Sequence, residues 1–393
     1  MLKYIRLGFM LFVLPVSVSA QHAMDSVLSQ IEINNTTLSA LRKSVEAEKI
    51  GNKTGIYLQN PEVGFNYLWG NPSAIGNRTD INIKQTFDFP TAYKYKNQIS
   101  DIRNLQTDLE YQQQRKAILY SARILYTDYA FANILGKEYE NRISRAQLIA
   151  DSYKVKFEKG ESGILEYNKT VLHLSTLSRE LEVLRISQNT YQQQLEALNG
   201  GKAVVIYEEE SPARLIPADF QQWYEVMVQS NPDLLWLKQE IESSRQQENL
   251  NRALSLPKAS AGYMSEKIVG EHFQGMMVGI SVPLWENKNK VKYAQAQTSA
   301  LLGIETDQKL QFYNQLKAQY DKAASLQEVV LLYKNDLKTA DNSVLLKKAL
   351  DMGEISLIEY LMELSLTYTA TDNLLRTENE LNKTIDYLMQ FEF

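Results

Sequence analysis

Two octapeptides decide how this chain folds: Gly160-Glu161-Ser162-Gly163-Ile164-Leu165-Glu166-Tyr167 and Gly353-Glu354-Ile355-Ser356-Leu357-Ile358-Glu359-Tyr360. Each lies within a long stretch almost free of helix breakers. From Asn97 to Lys159 there is no proline and a single glycine, Gly136, and from Ile164 to Asn199 there is neither. The second half matches, with only Gly303 between Asn289 and Met352 and no glycine or proline after Glu354. These stretches are rich in Leu, Ala, Gln, Glu, Lys and Arg, which lose little side-chain freedom in a helix. A helix from Asn97 to Lys159 measures about 90 Å, far beyond an ordinary globular helix. The sequence therefore predicts two long antiparallel helical hairpins, over about 97–199 and 289–393, each turning at its Gly-Glu motif. Asn199-Gly200-Gly201 closes the first as a C-terminal stop.

Outward from the octapeptides the same spacing holds, placing Phe89-Pro90 on Val282-Pro283. Further upstream a slightly larger spacing puts Asn35, Leu38, Leu41, Val45 and Glu46 on Asn231, Leu234, Leu237, Ile241 and Glu242, and Tyr67 on Tyr263. Two constant spacings separated by one length change predict a duplication, with the change in a loop between Tyr67 and Pro90. The repeats run over 21–201 and 218–393, joined by a linker at 202–217. Each opens with a helical pattern, at roughly Met24 to Glu48 and Asp219 to Leu254. Paired strands follow, at about 62–70 and 79–89, then 258–266 and 275–282. Val63, Phe65, Tyr67 and Trp69 alternate with polar or small residues, as do Ile81, Ile83, Phe87 and Phe89, and Met276, Val278, Ile280 and Val282. This period of two marks a sheet with two unlike faces. The nine prolines avoid all four long helical segments. Pro61, Pro72, Pro90, Pro257 and Pro283 bracket the strands or their loop, Pro212, Pro217 and Pro232 mark the passage between repeats, and Pro15 lies in the leader.

Composition removes several classes. The 393 residues hold no cysteine and three histidines, so thiolate chemistry, disulfides and a zinc cage are excluded or poorly supplied. His22, His173 and His272 are too dispersed for a metal site. Met276-Met277 reads as one lipid-facing and one lumen residue rather than a soft-metal site, since such selection needs clustered ligands. A net charge of −5 argues against nucleic acid as a partner. Residues 1–20 read as a secretory signal: Lys3 and Arg6, an apolar run from Leu7 to Val16, then Val18-Ser19-Ala20. No other run is long and apolar enough for a membrane helix. No nucleophile–base set or phosphate loop stands out, no cofactor is expected, and the chain reads as no enzyme.

Four strands cannot close a transmembrane barrel, and an open edge cannot face lipid. Three chains would supply twelve strands and six helical hairpins in a ring. The apolar strand face would then meet lipid, with Tyr67, Trp69, Tyr263 and Trp285 as interfacial anchors, while Asn66, Asn82, Lys84 and Ser281 line a wet lumen.

The ordered set of features resembles the TolC family of outer-membrane efflux channels over essentially the whole mature chain. The doubled Asn-x-x-Leu helix starts (Asn35; Asn231-Pro232-Asp233-Leu234), Leu256-Pro257 entering a strand, Val282-Pro283-Leu284 leaving one and the doubled Gly-Glu motif carry the resemblance. It implies a mainly α fold with a small β part, assembled as a homotrimer with a 12-stranded β-barrel in the outer membrane and an α-barrel through the periplasm. Its partners would be a periplasmic adaptor and an inner-membrane pump, and its role the passive exit duct of a tripartite efflux or type I secretion system. The tips Gly160, Glu161, Gly163, Gly353, Glu354 and Ser356 would meet the adaptor. Glu359 would join an acidic ring at the periplasmic aperture and Glu166 a polar lock, with like charges raising the ring carboxyls. Met362, beside Glu363, stands where a second ring acid would fall, and Ile355 where an arginine lock partner would be; Lys347 or Lys348 are candidate substitutes.

Other readings stay open. Glu166 and Glu359 read equally as solvated carboxylates on a helix exterior, and the tip glycines as turn residues. A periplasmic coiled-coil adaptor or scaffold also explains long hairpins, although one hairpin between Gly-rich β-domains would be expected of it. The terminal Phe391-Glu392-Phe393 resembles the aromatic end of barrel proteins but follows a helix.

Overall fold

The computed structural model describes residues 18–206, 214–340 and 342–391, with side chains from residue 24 onward. Most of the expected leader, and Glu392 and Phe393, lie outside the described residues. Helices α1 (Val18–Asn34) and α2 (Thr36–Gly51) precede strands β1 (Glu62–Leu68) and β2 (Arg78–Phe87), then helices α3 (Pro90–Glu158) and α4 (Ile164–Leu198). The order recurs in α5 (Phe220–Ser230), α6 (Pro232–Leu254), β3 (Lys258–Ile268), β4 (Glu271–Ser281), α7 (Lys290–Ala340), α8 (Ser343–Met352) and α9 (Leu357–Met389). With 69 residues, α3 is about 100 Å long. No helix among the described residues is long and apolar enough to cross a membrane.

The opening helical pattern of each half is two helices rather than one. Asn35 interrupts the first: its side-chain oxygen accepts the N–H of Leu38 at 2.9 Å. Asn231 does the same in the second, accepting the N–H of Asp233 at 2.8 Å with Pro232 behind it. Asparagine caps because its short side chain competes for backbone donors that a helix start leaves unsatisfied. The other departure from expectation lies after Ala340, where α7 ends before α8 begins at Ser343. No glycine or proline signals that break; Asn342 stands at the N-cap of α8.

Two compact units cut across the halves. One comprises Ala40–Gln114 and Tyr224–Asn314. It holds a single antiparallel sheet in the order β1-β2-β3-β4, so a strand of each half pairs across the middle. The hairpin connections differ: residues 69–77 join β1 to β2, with a 3-10 turn at Ser73–Ile75, whereas Val269 and Gly270 alone join β3 to β4. The sequence length change is therefore a loop difference. Beneath the sheet, Ala92 and Ile99 of α3 pack on Leu250 and Ala253 of α6.

The other unit comprises Met1–Ser39, Arg115–Trp223 and Gln315–Phe393. Met24, Val27, Leu28 and Ile31 of α1 bury one helical face against Leu119, Ala122 and Tyr126 of α3 and Leu195 of α4. The spacing of those four residues gives α1 the apolar stripe that makes it dock. Further along α3, Leu135, Tyr139 and Ala146 meet Leu177 and Leu181 of α4. A helix this long is held by such packing and not by propensity alone.

Candidate functional site

Two regions hold the candidate functional residues, the sheet and the hairpin tips. In the sheet the register sorts side chains into two sets. Val63 pairs with Ile83, Ile83 with Tyr263, and Tyr263 with Met276; Phe87, Ala259 and Ile280 form another row of the same face. Met276 is 94% exposed, Val278 82%, Ile280 73% and Val63 71%, which is an apolar surface that water does not favour. The opposite face carries Glu62 opposite Lys84, Gly64 opposite Asn82, Asn66 opposite Asp80 and Lys258 opposite Ser281. Asn66, Asn82, Lys84 and Ser281 thus share one face, and Met276 and Met277 fall on opposite faces. Both outer strands, β1 and β4, have one unpaired edge within this sheet.

The aromatic candidates are exposed. Tyr67 packs edge-on against Trp69 with ring centres 5.7 Å apart, and its hydroxyl accepts from Asn77 at 2.7 Å. Tyr263 donates to Gln274 at 2.9 Å, and Trp285 lies beyond β4, 80% exposed. Rings with one apolar and one hydrogen-bonding end suit an interface between water and lipid.

At the tips the two octapeptides adopt the same backbone. Gly160 and Gly353 both have φ of 74°, left-handed and costly for any residue with a Cβ. The N–H of Gly160 bonds Phe157 and that of Glu161 bonds Lys156; the N–H of Gly353 bonds Leu350 and that of Glu354 bonds Ala349. This paired arrangement closes a helix and frees the chain to reverse. Gly163 and Ser356 then cap α4 and α9. The two turns share one apolar cluster, in which Tyr153 of α3 meets Leu350 of α8 and Leu357, Tyr360 and Leu364 of α9, with Tyr167 and Ile355 alongside. Ile355 is therefore a packing residue of the turn.

Glu166 and Glu359 occupy the third position of their helices and reach back to the turn. The Glu166 carboxylate accepts from the Ser162 hydroxyl at 2.5 Å and from the N–H of Gly163 at 3.3 Å. Glu359 accepts the N–H of Ser356 at 2.7 Å while its own N–H donates to the Ser356 hydroxyl at 3.3 Å. The Ser162 hydroxyl, then the Gly163 N–H, hold the Glu166 carboxyl below its ordinary range; the N–H of Ser356, then its hydroxyl, do so for Glu359. In the single protomer the direction is opposite to crowding by like charges, because a hydrogen-bonded carboxylate at a helix N-terminus favours its ionised form. Lys347 pairs with Asp351 in its own helix at 2.9 Å. The reciprocal capping box Ser356-x-x-Glu359 is a legible signature that the reading of Glu359 as an aperture residue passed over.

Two buried charge clusters escaped sequence reasoning. Arg142, 1% exposed, pairs with Glu138 at 2.9 Å and Asp372 at 2.8 Å, and lies over the rings of Tyr139 and Tyr368. Arg214, within the inter-repeat linker, pairs with fully buried Asp386 of α9 and donates to Thr127 of α3 at 3.0 Å and to the carbonyl of Asn382 at 2.9 Å. Thr127 in turn donates to Asp386 at 2.7 Å. No periodicity or motif marks either cluster, since their partners come together only in space. Of the histidines, His173 is half-buried on α4 and His272 bonds Ser265 at 2.7 Å. Phe391 is buried against Tyr387 and Lys116.

No protein-family model matches this sequence, and no curated protein matches it. Solved structures do. CusC, described for its folding and transmembrane channel formation, is 14% identical, with 94% of this chain and 92% of that one covered at a TM-score of 0.78. The CmeC outer membrane channel of Campylobacter jejuni is 13% identical, covering 94% and 85% at 0.75. The outer membrane protein VceC of Vibrio cholerae is 12% identical, covering 96% and 98% at 0.73. The fold of this chain is that of the TolC-family outer-membrane channels.

Proposed function

We propose that this chain is the outer-membrane exit duct of an export system, a passive homotrimeric channel that receives substrate from an inner-membrane pump through a periplasmic adaptor. The observation that carries the proposal is the sheet: four strands, open at both edges, apolar and exposed on one face and polar on the other. Such a sheet is unstable alone in lipid or in water, because unpaired strand edges need partners and an apolar face needs an apolar medium. Three copies would bring twelve strands, closing a barrel with Asn66, Asn82, Lys84 and Ser281 on the lumen side and Tyr67, Trp69, Tyr263 and Trp285 at the lipid boundary. The recurring element order supports an internal duplication, in keeping with a barrel built from few chains.

The tips around Gly160, Glu161, Gly163, Gly353, Glu354 and Ser356 are the proposed adaptor-docking surface, and Glu359 and Glu166 the residues nearest the proposed periplasmic aperture. The coiled-coil scaffold is the weaker reading, since it would carry a single hairpin where this chain has two, together with a four-stranded sheet. The mature protein added to a planar bilayer should give discrete conductance steps, and Glu359→Ala should increase them if Glu359 constricts the aperture. A detergent-free soluble protein without conductance would overturn the duct. Conductance and ion selectivity unchanged in Glu359→Ala would remove Glu359 from the aperture.

A further inference from the structure

The apolar face of the sheet changes character at its turn end. Its row nearest the long helices is Phe87, Ala259 and Ile280, and its row nearest the hairpin turns is Tyr67, Thr79, Lys267 and His272. From Ala259 to Lys267 strand β3 climbs about 27 Å, which is about 20 Å of depth at the tilt usual in a membrane barrel. That approaches the height of a barrel's apolar band, about 25 Å, so the last row falls at the boundary between hydrocarbon and headgroups. A cation on the lipid side of a barrel is costly at mid-depth and well tolerated there.

The charge on this face has one sign. Lys267 and His272 stand directly opposite one another and both are exposed, and they are the basic side chains among the paired residues of the face. No paired Asp or Glu shares it: Glu62, Asp80, Glu266 and Glu271 all lie on the other side of the sheet. There Arg78 engages Asp80 at 2.8 Å and Glu266 at 3.1 Å. The His272 ring sits with Nε2 2.7 Å from the Ser265 hydroxyl, and the Thr79 hydroxyl flanks Lys267 on the neighbouring strand. An ammonium, an imidazole and a hydroxyl in one row suit an anionic oxygen group. A soluble anion would use that row alone, whereas a lipid would also cover the surface below it, where Met276 is 94% exposed and Val63 71%.

We propose that this rim binds the phosphate of an anionic lipid in the leaflet on the hairpin-turn side, with the phosphate on Lys267 beside His272 and Thr79 and the acyl chains running down past Tyr263 and Met276. The proposal rests on the duct reading, which places the apolar face in lipid. It goes beyond that reading by assigning one headgroup position to each chain and the headgroup chemistry that the position selects.

The test uses the mature protein in a neutral detergent, titrated with phosphatidylglycerol, with a galactosyl diglyceride of the same acyl chains, or with inorganic phosphate, and read by native mass spectrometry. Phosphatidylglycerol should bind saturably, one per chain, and severalfold more tightly than the uncharged glycolipid or inorganic phosphate. Lys267→Gln should weaken phosphatidylglycerol severalfold and Lys267→Arg should retain it, while Lys258→Gln, on the polar face, should bind as wild type does. Equal retention of the two lipids would mean ordinary apolar adhesion, and inorganic phosphate bound as tightly as the lipid a soluble-anion site; either would overturn the proposal. Wild-type binding in Lys267→Gln would overturn it as well. Protein that conducts in a bilayer but shows no headgroup preference would sink the rim alone, whereas soluble protein without conductance would sink the duct reading with it.

Discussion

Glu359 illustrates how one residue can be read two ways. As an acid after a glycine turn it suggests a charged aperture; as the third residue of α9 it caps a helix through Ser356. The cap is what the protomer itself uses, and the second role requires neighbouring copies to bring three carboxylates together. Its energetics follow from the hydrogen bonds. Ser356→Ala should destabilise the tip by about 1 kcal/mol, the usual worth of a helix N-cap, and local hydrogen exchange at Glu359 and Tyr360 is the measurement. The Glu359 carboxyl is held low, so its stabilising effect is present at neutral pH and fades as acid protonates it, on the acid side of the ordinary glutamate range. Glu359→Gln should flatten that part of the stability-against-pH curve. A curve that keeps its wild-type slope would exclude Glu359 as the titrating cap.

At the scale of elements, the strands were the most legible part, because period-two alternation survives in the final register: Val63, Phe65 and Tyr67 of β1 share one face with Ile81, Ile83 and Phe87 of β2. The long helices were legible from the absence of breakers. The break between α7 and α8 was not, as no glycine or proline marks it, whereas the helix starts at Asn35 and Asn231 were legible as a doubled Asn-x-x-Leu pattern. Between elements, the connection from the first half to α9 depends on Arg214. Burial pushes the Asp386 carboxyl up and the Arg214 guanidinium down, each against the attraction of the other. Removing one partner strands the other in a low-dielectric site, so Arg214→Met should cost about 3 kcal/mol in chemical denaturation. Combining it with Asp386→Leu should recover part of that loss, since the stranded carboxylate is gone but the buried Arg123 guanidinium, 3.9 Å from Asp386, loses that neighbour too. Strict additivity of the two substitutions would show that the pair is not coupled.

For the whole molecule the decisive feature is a sheet with more apolar surface and more open edge than a solitary chain can accommodate. Because the sequence contains no cysteine, a single pair of introduced thiols reports on assembly without background. Phe65→Cys on β1 with Val278→Cys on β4, treated with a short bis-maleimide, should give covalent trimers on a denaturing gel. Monomers alone, in membranes that conduct, would overturn the proposed strand pairing between copies. The sequence by itself determined which segments are helix and strand, where the hairpins reverse and which strand face is apolar, since all of these are written in local periodicity and in the placement of glycine and proline. Only the tertiary structure decided that β2 pairs with β3, that both tips share one apolar cluster and that Arg142, Arg214 and Asp386 are buried. Those facts join residues far apart along the chain, and contacts of that kind leave no local pattern to read.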